Sequence, residues 1–197
     1  ILTGEQRVEE LLRREEVSPE FWSLKGEDTK YFLDKILAGD ISNRKIAVLG
    51  ARTGEIIKQY WDGFCQAEEI TLFDTSAGIL KLAQEKLGGM NANIRYCSTY
   101  NEGVEESELN KYDIVLAVNL LHTYEEPLKE VEWAALLLKR EGDFYAIEYE
   151  ELDPMGILIS GLLENGFVNR KRGRREHTPL LLLDDWKNIY GQAPFGE

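Results

Sequence analysis

Five short apolar runs punctuate the chain, and segments with helical spacing fill the intervals between them. Residues 45–49 (KIAVL) are rich in β-branched side chains, and residues 70–73 (ITLF) form a second run of the same kind. Residues 93–97 are a weaker third candidate. Residues 113–118 (DIVLAV) are nearly all apolar, the pattern of a strand buried on both faces, and 144–147 (FYAI) are the fifth. The spacing predicts helices over 27–38, with Tyr31, Phe32, Leu33, Ile36 and Leu37 and a stop at Gly39, then over 55–61, 77–87 and about 126–139. Thr75-Ser76 supplies a cap for the 77–87 helix and Gly88-Gly89 its end. Glu141-Gly142-Asp143 reads as a turn. Upstream, Val8, Leu11 and Leu12 among many charges predict an amphipathic helix over 3–16, with a break at Ser18-Pro19. Downstream, 158–163 reads as helical, 180–183 as a strand or buried loop, and 184–190 as a short helix.

Strands alternating with helices imply right-handed crossovers and a mostly parallel sheet, an α/β fold of Rossmann-like type. Ligands of such sheets bind beyond the C-terminal strand ends. Gly50, Asp74, His122 and Glu148 all fall at those ends. The chain divides into a helical leader (1–44), a nucleotide-binding core (45–150) and a C-terminal segment on the substrate side (151–197), together one domain.

The bulk composition narrows the classes. The 197 residues, 43% hydrophobic and 30% charged, suit one well-buried soluble domain. A net charge of −13 argues against a general nucleic-acid binder, which needs a basic footprint. No run approaches a membrane span and no signal peptide is visible, so a cytoplasmic protein is expected. Cys65 and Cys97 lack metal-ligand spacing, no metal site is expected, and both read as reduced thiols in or near the core. The sequence starts at Ile1, the expectation being a piece of something longer.

The chemistry begins where the first strand breaks, at Gly50-Ala51-Arg52-Thr53-Gly54. Glycines there let backbone N–H groups approach a ligand, and the following helix N-terminus adds partial positive charge. Asp74 ends the second strand 74 − 50 = 24 residues later, where an acid would meet a ribose hydroxyl pair. Plainer readings stand beside these: ordinary turn glycines, and a helix-capping aspartate. His122, one of two histidines, sits at the fourth strand tip, and Glu148 lies 148 − 122 = 26 residues on, at the next. Imidazole is the side chain suited to general-base work near neutral pH, and a neighbouring carboxylate would orient it. The alternative is a packing or capping histidine. Asn119 either positions substrate or cofactor or satisfies a turn. The four tryptophans, Trp22, Trp61, Trp133 and Trp186, read as core.

Together these motifs resemble a class I S-adenosylmethionine-dependent methyltransferase, and more narrowly the methyltransferase domains embedded in polyketide synthases and nonribosomal peptide synthetases. The leader 11–19 (LLRREEVSP), the glycine turn, Phe73-Asp74-Thr75-Ser76 and the segments 161–164 and 175–181 carry the likeness. Its most specific part is Asn119-Leu120-Leu121-His122-Thr123, similar to the family's N-x-L-H-A/T signature. The resemblance implies a cofactor site of Gly50, Ala51, Arg52, Gly54, Asp74, Thr75, Thr99 and Asn119, with S-adenosylhomocysteine as product. It implies His122 as base and Glu148 as its partner, deprotonating the α-carbon of a β-ketoacyl thioester on a phosphopantetheinyl carrier protein among neighbouring synthase domains. It also implies that Gln192-Ala193-Pro194-Phe195-Gly196 begins a sixth strand, so that the sequence stops before the last two strands of the sheet.

Three positions depart from the family pattern. Val48 stands where an acid is usual, Arg52 replaces the central glycine, and Ser98-Thr99-Tyr100 lacks the acid that would hold the adenine amino group. A second reading therefore keeps the fold without catalysis, as a structural or docking module of a synthase. A nicotinamide-dependent oxidoreductase is weaker, lacking a fuller glycine fingerprint. The basic run Arg170-Lys171-Arg172-Gly173-Arg174-Arg175 is either a solvated loop or a receiver for a phosphopantetheine phosphate or an acidic carrier domain.

Overall fold

The computed structural model of the protein describes residues 26–50, 54–90, 93–98, 104–149 and 180–195. In chain order these form α1 (Gly26–Leu37), β1 (Lys45–Leu49), α2 (Glu55–Gln59), α3 (Trp61–Phe64), β2 (Glu69–Phe73), α4 (Ala77–Leu87), β3 (Ile94–Cys97), β4 (Tyr112–Val118), α5 (Pro127–Leu137), β5 (Leu138–Ile147) and α6 (Leu183–Tyr190). Short 3₁₀ turns at Glu106–Glu108 and Leu121–Thr123 flank β4. The strands make one parallel sheet in the order β3-β2-β1-β4-β5. This is the α/β, Rossmann-like arrangement expected from the alternating pattern.

Register explains why the strand runs are apolar almost throughout. Ile46 and Val48 of β1 stand beside Ile70 and Leu72 of β2 and Ile114 and Leu116 of β4. They pack with Leu33, Ile57, Phe64, Leu80 and Leu87 from α1 to α4 into one core. The alternate residues Ala47, Leu49, Phe73, Val115 and Ala117 face the other way, onto Val131, Ala134 and Leu137 of α5 and Trp186 of α6. A parallel sheet buried on both faces needs apolar side chains at successive positions, not at every second one. Trp61 and Trp133 pack partly buried against these two cores, as expected of structural tryptophans, while Trp22 lies outside the described residues.

Several expectations are corrected. The 126–139 helix stops at Leu137, and the strand after it starts at Leu138, so Glu141-Gly142-Asp143 is strand rather than turn. The ladder pairs Tyr112 with Leu138 and then jumps to Ile114 with Asp143. The intervening Lys139-Arg140-Glu141-Gly142 bulges at the exposed strand start, where charged side chains reach water at no cost to pairing. A Cβ on Gly142 would lie 2.9 Å from the Tyr112 carbonyl oxygen, so the bulge closes against β4 only with glycine there. The 55–61 helix is two short helices meeting at Tyr60. Cys65 is exposed rather than in or near the core. Residues 191–195 form a turn and irregular chain packed by Ala193 and Phe195 against the second core, not a sixth strand. The expected leader helix over 3–16, the helix over 158–163 and the basic run 170–175 lie outside the described residues. No helix among the described residues is long and apolar enough to cross a membrane.

The strand starts carry a buried ionic cluster that composition does not foretell. Glu108, 2% exposed, accepts hydrogen bonds from Arg95 Nη2 (2.8 Å) and Nη1 (3.2 Å), Lys111 Nζ (3.1 Å) and the Tyr112 hydroxyl. Glu69 binds the same two cations, Arg95 at 3.2 Å and Lys111 at 3.0 Å. Burial pushes the Glu108 carboxyl up, but the Arg95, Tyr112 and Lys111 hydrogen bonds outweigh it and hold it near 2 against an ordinary 4.5. A carboxyl depressed by folding binds its proton more weakly in the folded state. Its stabilisation is therefore complete above about pH 4.5 and is lost as the pH falls toward 2. Acid unfolding followed by circular dichroism is expected to steepen across that window, and Glu108→Gln to flatten it. Equal slopes would assign the acid sensitivity to other carboxylates.

Candidate active site

Because all five strands are parallel, their C-terminal ends share one rim. β4 ends at Val118, and Asn119 follows with φ 47°, its N–H donating to the Ile147 carbonyl (2.7 Å). That left-handed step, which asparagine tolerates better than most residues, turns the chain into the Leu121–Thr123 3₁₀ turn. The Thr123 N–H (3.0 Å) and hydroxyl (2.6 Å) both donate to the Leu120 carbonyl and close the turn.

Glu148, the residue after β5, reaches across to this turn. Its Oε1 accepts the N–H groups of Leu120 (2.8 Å) and Leu121 (2.7 Å), and its Oε2 lies 2.5 Å from His122 Nδ1. The carboxylate is 5% exposed and the imidazole 16%. An ionised carboxylate only accepts, so Nδ1 carries the hydrogen of this contact and the lone pair of the neutral ring is on Nε2. One side chain therefore holds both the turn and the ring's tautomer. The expected His122–Glu148 pair is brought together.

One aromatic side chain of α6, Tyr190, lies within electrostatic reach of Glu148. Tyr190 stacks on Trp186 (5.9 Å between ring centroids) and meets Phe144 of β5 edge-on (6.2 Å). Burial first, and then the negative charge of Glu148, push the Tyr190 hydroxyl's pKa up, so it stays a neutral phenol beside the carboxylate. The two backbone donors to Glu148 were not legible as part of the site. The only hint was the likeness of Asn119-Leu120-Leu121-His122-Thr123 to an N-x-L-H-A/T signature.

Gly50 (φ 74°) and Gly54 (φ 78°) bracket the turn after β1 in the left-handed region that favours glycine. A Cβ on Gly54 would fall 2.8 Å from Leu87 of α4, and one on Gly50 would fall 2.8 Å from Leu120. Asp74, half-buried after β2, donates its N–H to the Cys97 carbonyl (3.2 Å) and accepts the Ser76 N–H at Oδ1 (2.8 Å). Ser76 Oγ in turn caps α4 by accepting the Ile79 N–H (3.3 Å). The capping expected of Thr75-Ser76 is thus realised by Ser76, and the Asp74 carboxylate braces the capping residue. Thr75 is exposed. Ala51, Arg52 and Thr99 lie outside the described residues. Val48 is 1% exposed inside the α1–α4 core, so nothing at that position offers a charge to a ligand.

This rim fits a nucleoside cofactor. Gly50 and Gly54 stand in left-handed conformations between β1 and α2, a carboxylate held by the Ser76 N–H follows β2, and a histidine–carboxylate pair stands two strands away. Among the described residues no cluster of histidine, cysteine or acidic side chains is disposed to hold a metal.

Comparison with known proteins agrees with that fit. The profile of a family described as "methyltransferase domain" matches residues 47–146, just over half of the chain. Highly reducing polyketide synthase 40 of Fusarium pseudograminearum (strain CS3096) is 29% identical over 125 residues, covering 62% of this chain and 5% of that protein. Hybrid PKS-NRPS synthetase phm1 of a Pyrenochaetopsis species is 28% identical over 173 residues, covering 81% of this chain and 4% of that protein. The chain thus spans only a small fraction of the length of these curated relatives. The solved trans-methyltransferase CalH, in complex with SAH, has the same fold, with a TM-score of 0.78 at 18% identity over 97% of this chain and 56% of its own. So has the CMeT domain of the citrinin polyketide synthase, with a TM-score of 0.66 at 20% identity over 86% of this chain and 45% of its own.

Proposed function

The chain belongs to the methyltransferase domain family, and on that footing we propose that it is the S-adenosylmethionine-dependent C-methyltransferase domain of a modular polyketide or hybrid synthase. Its substrate on this reading is a β-ketoacyl thioester presented by a phosphopantetheinyl carrier protein. The observation that carries the proposal is the 2.5 Å contact between His122 Nδ1 and Glu148 Oε2 on the same rim as the Gly50 turn and Asp74.

S-adenosylmethionine supplies a methyl group already activated on a sulfonium, so the chain's task is to position an acceptor in line and to take a proton. His122 Nε2 would take the acidic α-proton of the thioester, leaving on that carbon the electron pair that accepts the methyl group as S-adenosylhomocysteine is released. The positive ring that results would be stabilised by Glu148, whose Oε2 faces Nδ1 while its Oε1 is held by two backbone N–H groups. The turn at Gly50 and Gly54, with Ala51 and Arg52 between, would seat the methionine end. Asp74, Thr75 and Thr99 would hold the nucleoside, and Asn119 the acceptor or cofactor backbone. A scaffold role without catalysis is favoured by the apolar Val48 and by Arg52. Against it stands the paired, oriented base.

Calorimetric titration with S-adenosylmethionine and S-adenosylhomocysteine, followed by assay with carrier-bound β-ketoacyl substrate, tests the reading. Micromolar binding and α-methylated product are expected. A folded sample that binds neither ligand would favour the scaffold. In the same titration Asp74→Ala is expected to weaken binding about 10- to 100-fold, the loss of hydrogen bonds to a charged group. Asp74→Asn, which keeps the acceptor for Ser76, separates that loss from damage to the α4 cap. Unchanged affinity in Asp74→Ala would put the ribose elsewhere.

A further inference from the structure

The two halves of the rim touch at one side chain. Leu120 lies over Gly50 so closely that a Cβ on the glycine would stand 2.8 Å from its Cδ1 and 3.1 Å from its Cδ2. Every other handle of Leu120 is also held. Its N–H donates to Glu148 Oε1, and its carbonyl accepts both the N–H and the hydroxyl of Thr123. Gly50 is fixed in turn, with φ 74° and its N–H on the Phe73 carbonyl (2.8 Å). With its N–H held by Glu148 and its carbonyl by Thr123, Leu120 cannot move away from Gly50 without moving those partners. A displacement at Gly50 is therefore passed through the isobutyl group to the N–H groups that Glu148 accepts, and through Glu148 to His122.

We propose that Leu120 is a positioning residue that keys the His122–Glu148 pair to the first glycine of the cofactor turn. The proposal rests on the reading of His122 as base and goes beyond it. The tie adds a side-chain contact to the β1–β4 pairing that already sets the two strand tips side by side. It also gives Gly50 a second reason to lack a side chain, besides its positive φ.

The test uses the whole chain and does not depend on turnover. With only two histidines in the sequence, imidazole-labelled nitrogen resonances report on His122 directly. Gly50→Ala is expected to shift the His122 nitrogen signals and weaken the low-field Nδ1 proton. Adding Leu120→Ala, which removes the collision, is expected to return them toward wild type. Unmoved signals in folded Gly50→Ala, or no recovery in the double variant, overturn the proposal. Should Gly50→Ala not fold, Leu120→Phe presses on the same contact from the other side. It is expected to weaken S-adenosylhomocysteine binding at least tenfold, against less than threefold for Leu120→Ala, and equal affinities overturn the link. In the methyl-transfer assay Leu120→Ala is expected to lower kcat about tenfold with KM little changed, and Leu120→Met to recover most of it. If the resonances behave as described while His122→Ala retains full activity, the base assignment fails and the link stands.

Discussion

His122→Ala is expected to lower methyl transfer by about 10²- to 10⁴-fold, the range of a lost general base, while leaving S-adenosylhomocysteine affinity within a few-fold. The separation follows from the geometry. The ring is 16% exposed and held through Nδ1 by Glu148, so its removal takes away the Nε2 lone pair without touching the glycine turn or Asp74. Glu148→Gln supplies the complement. An amide can offer its N–H₂ to Nδ1 and so favour the opposite tautomer, with hydrogen on Nε2 and no lone pair facing the acceptor. A loss approaching that of His122→Ala is expected there, with a modest fall in stability because Leu120 and Leu121 keep an oxygen partner. Single-turnover methyl transfer measured beside calorimetric binding decides the matter. Full activity in His122→Ala would remove the imidazole from the mechanism.

The largest effect on stability is expected from Glu108→Ala, about 3 kcal/mol, the low end for breaking a buried ion pair. Arg95 is 40% exposed and its lost partner is replaced in part by water, which argues for that end of the range. The fully buried Tyr112 hydroxyl, which donates to Glu108, has no such recourse. Glu69 is left facing Arg95 and Lys111 alone, both at the starts of strands rather than near the rim that carries His122. In a chain of this size the loss corresponds to a fall in Tm of roughly 6–12 °C. Thermal unfolding by calorimetry checks it. A change under about 1 kcal/mol would show the cluster to be nearly neutral, as some buried ion pairs are. Glu108→Gln should fall between, keeping an acceptor but not the charge.

The two variants act on opposite rims of one sheet. The strand starts carry the buried ionic cluster, whereas the strand ends carry the residues to which the proposed chemistry is assigned. A decline in Tm without loss of the His122 signature in Glu108→Ala, and the reverse in His122→Ala, is the pattern this division predicts.

Much of the fold could be read from local pattern, and for a physical reason. Strands buried on both faces must be apolar at successive positions, and 45–49, 70–73 and 113–118 satisfy that condition without reference to any partner. Ser76 caps α4 through a hydrogen bond three residues away, a local event that Thr75-Ser76 announces. Gly50, Asp74, His122 and Glu148 could be assigned to strand tips because each ends or follows such a run. What lay beyond local pattern was every contact whose partners are far apart in the chain. The start of β5 is hidden from local pattern because Lys139 reads as the end of the preceding helix and Glu141-Gly142-Asp143 as a turn. Only pairing with Tyr112 and the close approach at Gly142 make Lys139-Arg140-Glu141-Gly142 a bulge. Glu108 is an ordinary exposed acid by its neighbours, and becomes a buried anion only when β2, β3 and β4 bring Glu69, Arg95 and Tyr112 beside it. Likewise, the sequence put His122 and Glu148 at successive strand tips, and the family resemblance implied that they would meet. The tertiary structure decided that the second Glu148 oxygen would hold two backbone N–H groups and that Leu120 would rest on Gly50, seventy positions away, because packing distance is set by the sheet and not by the chain.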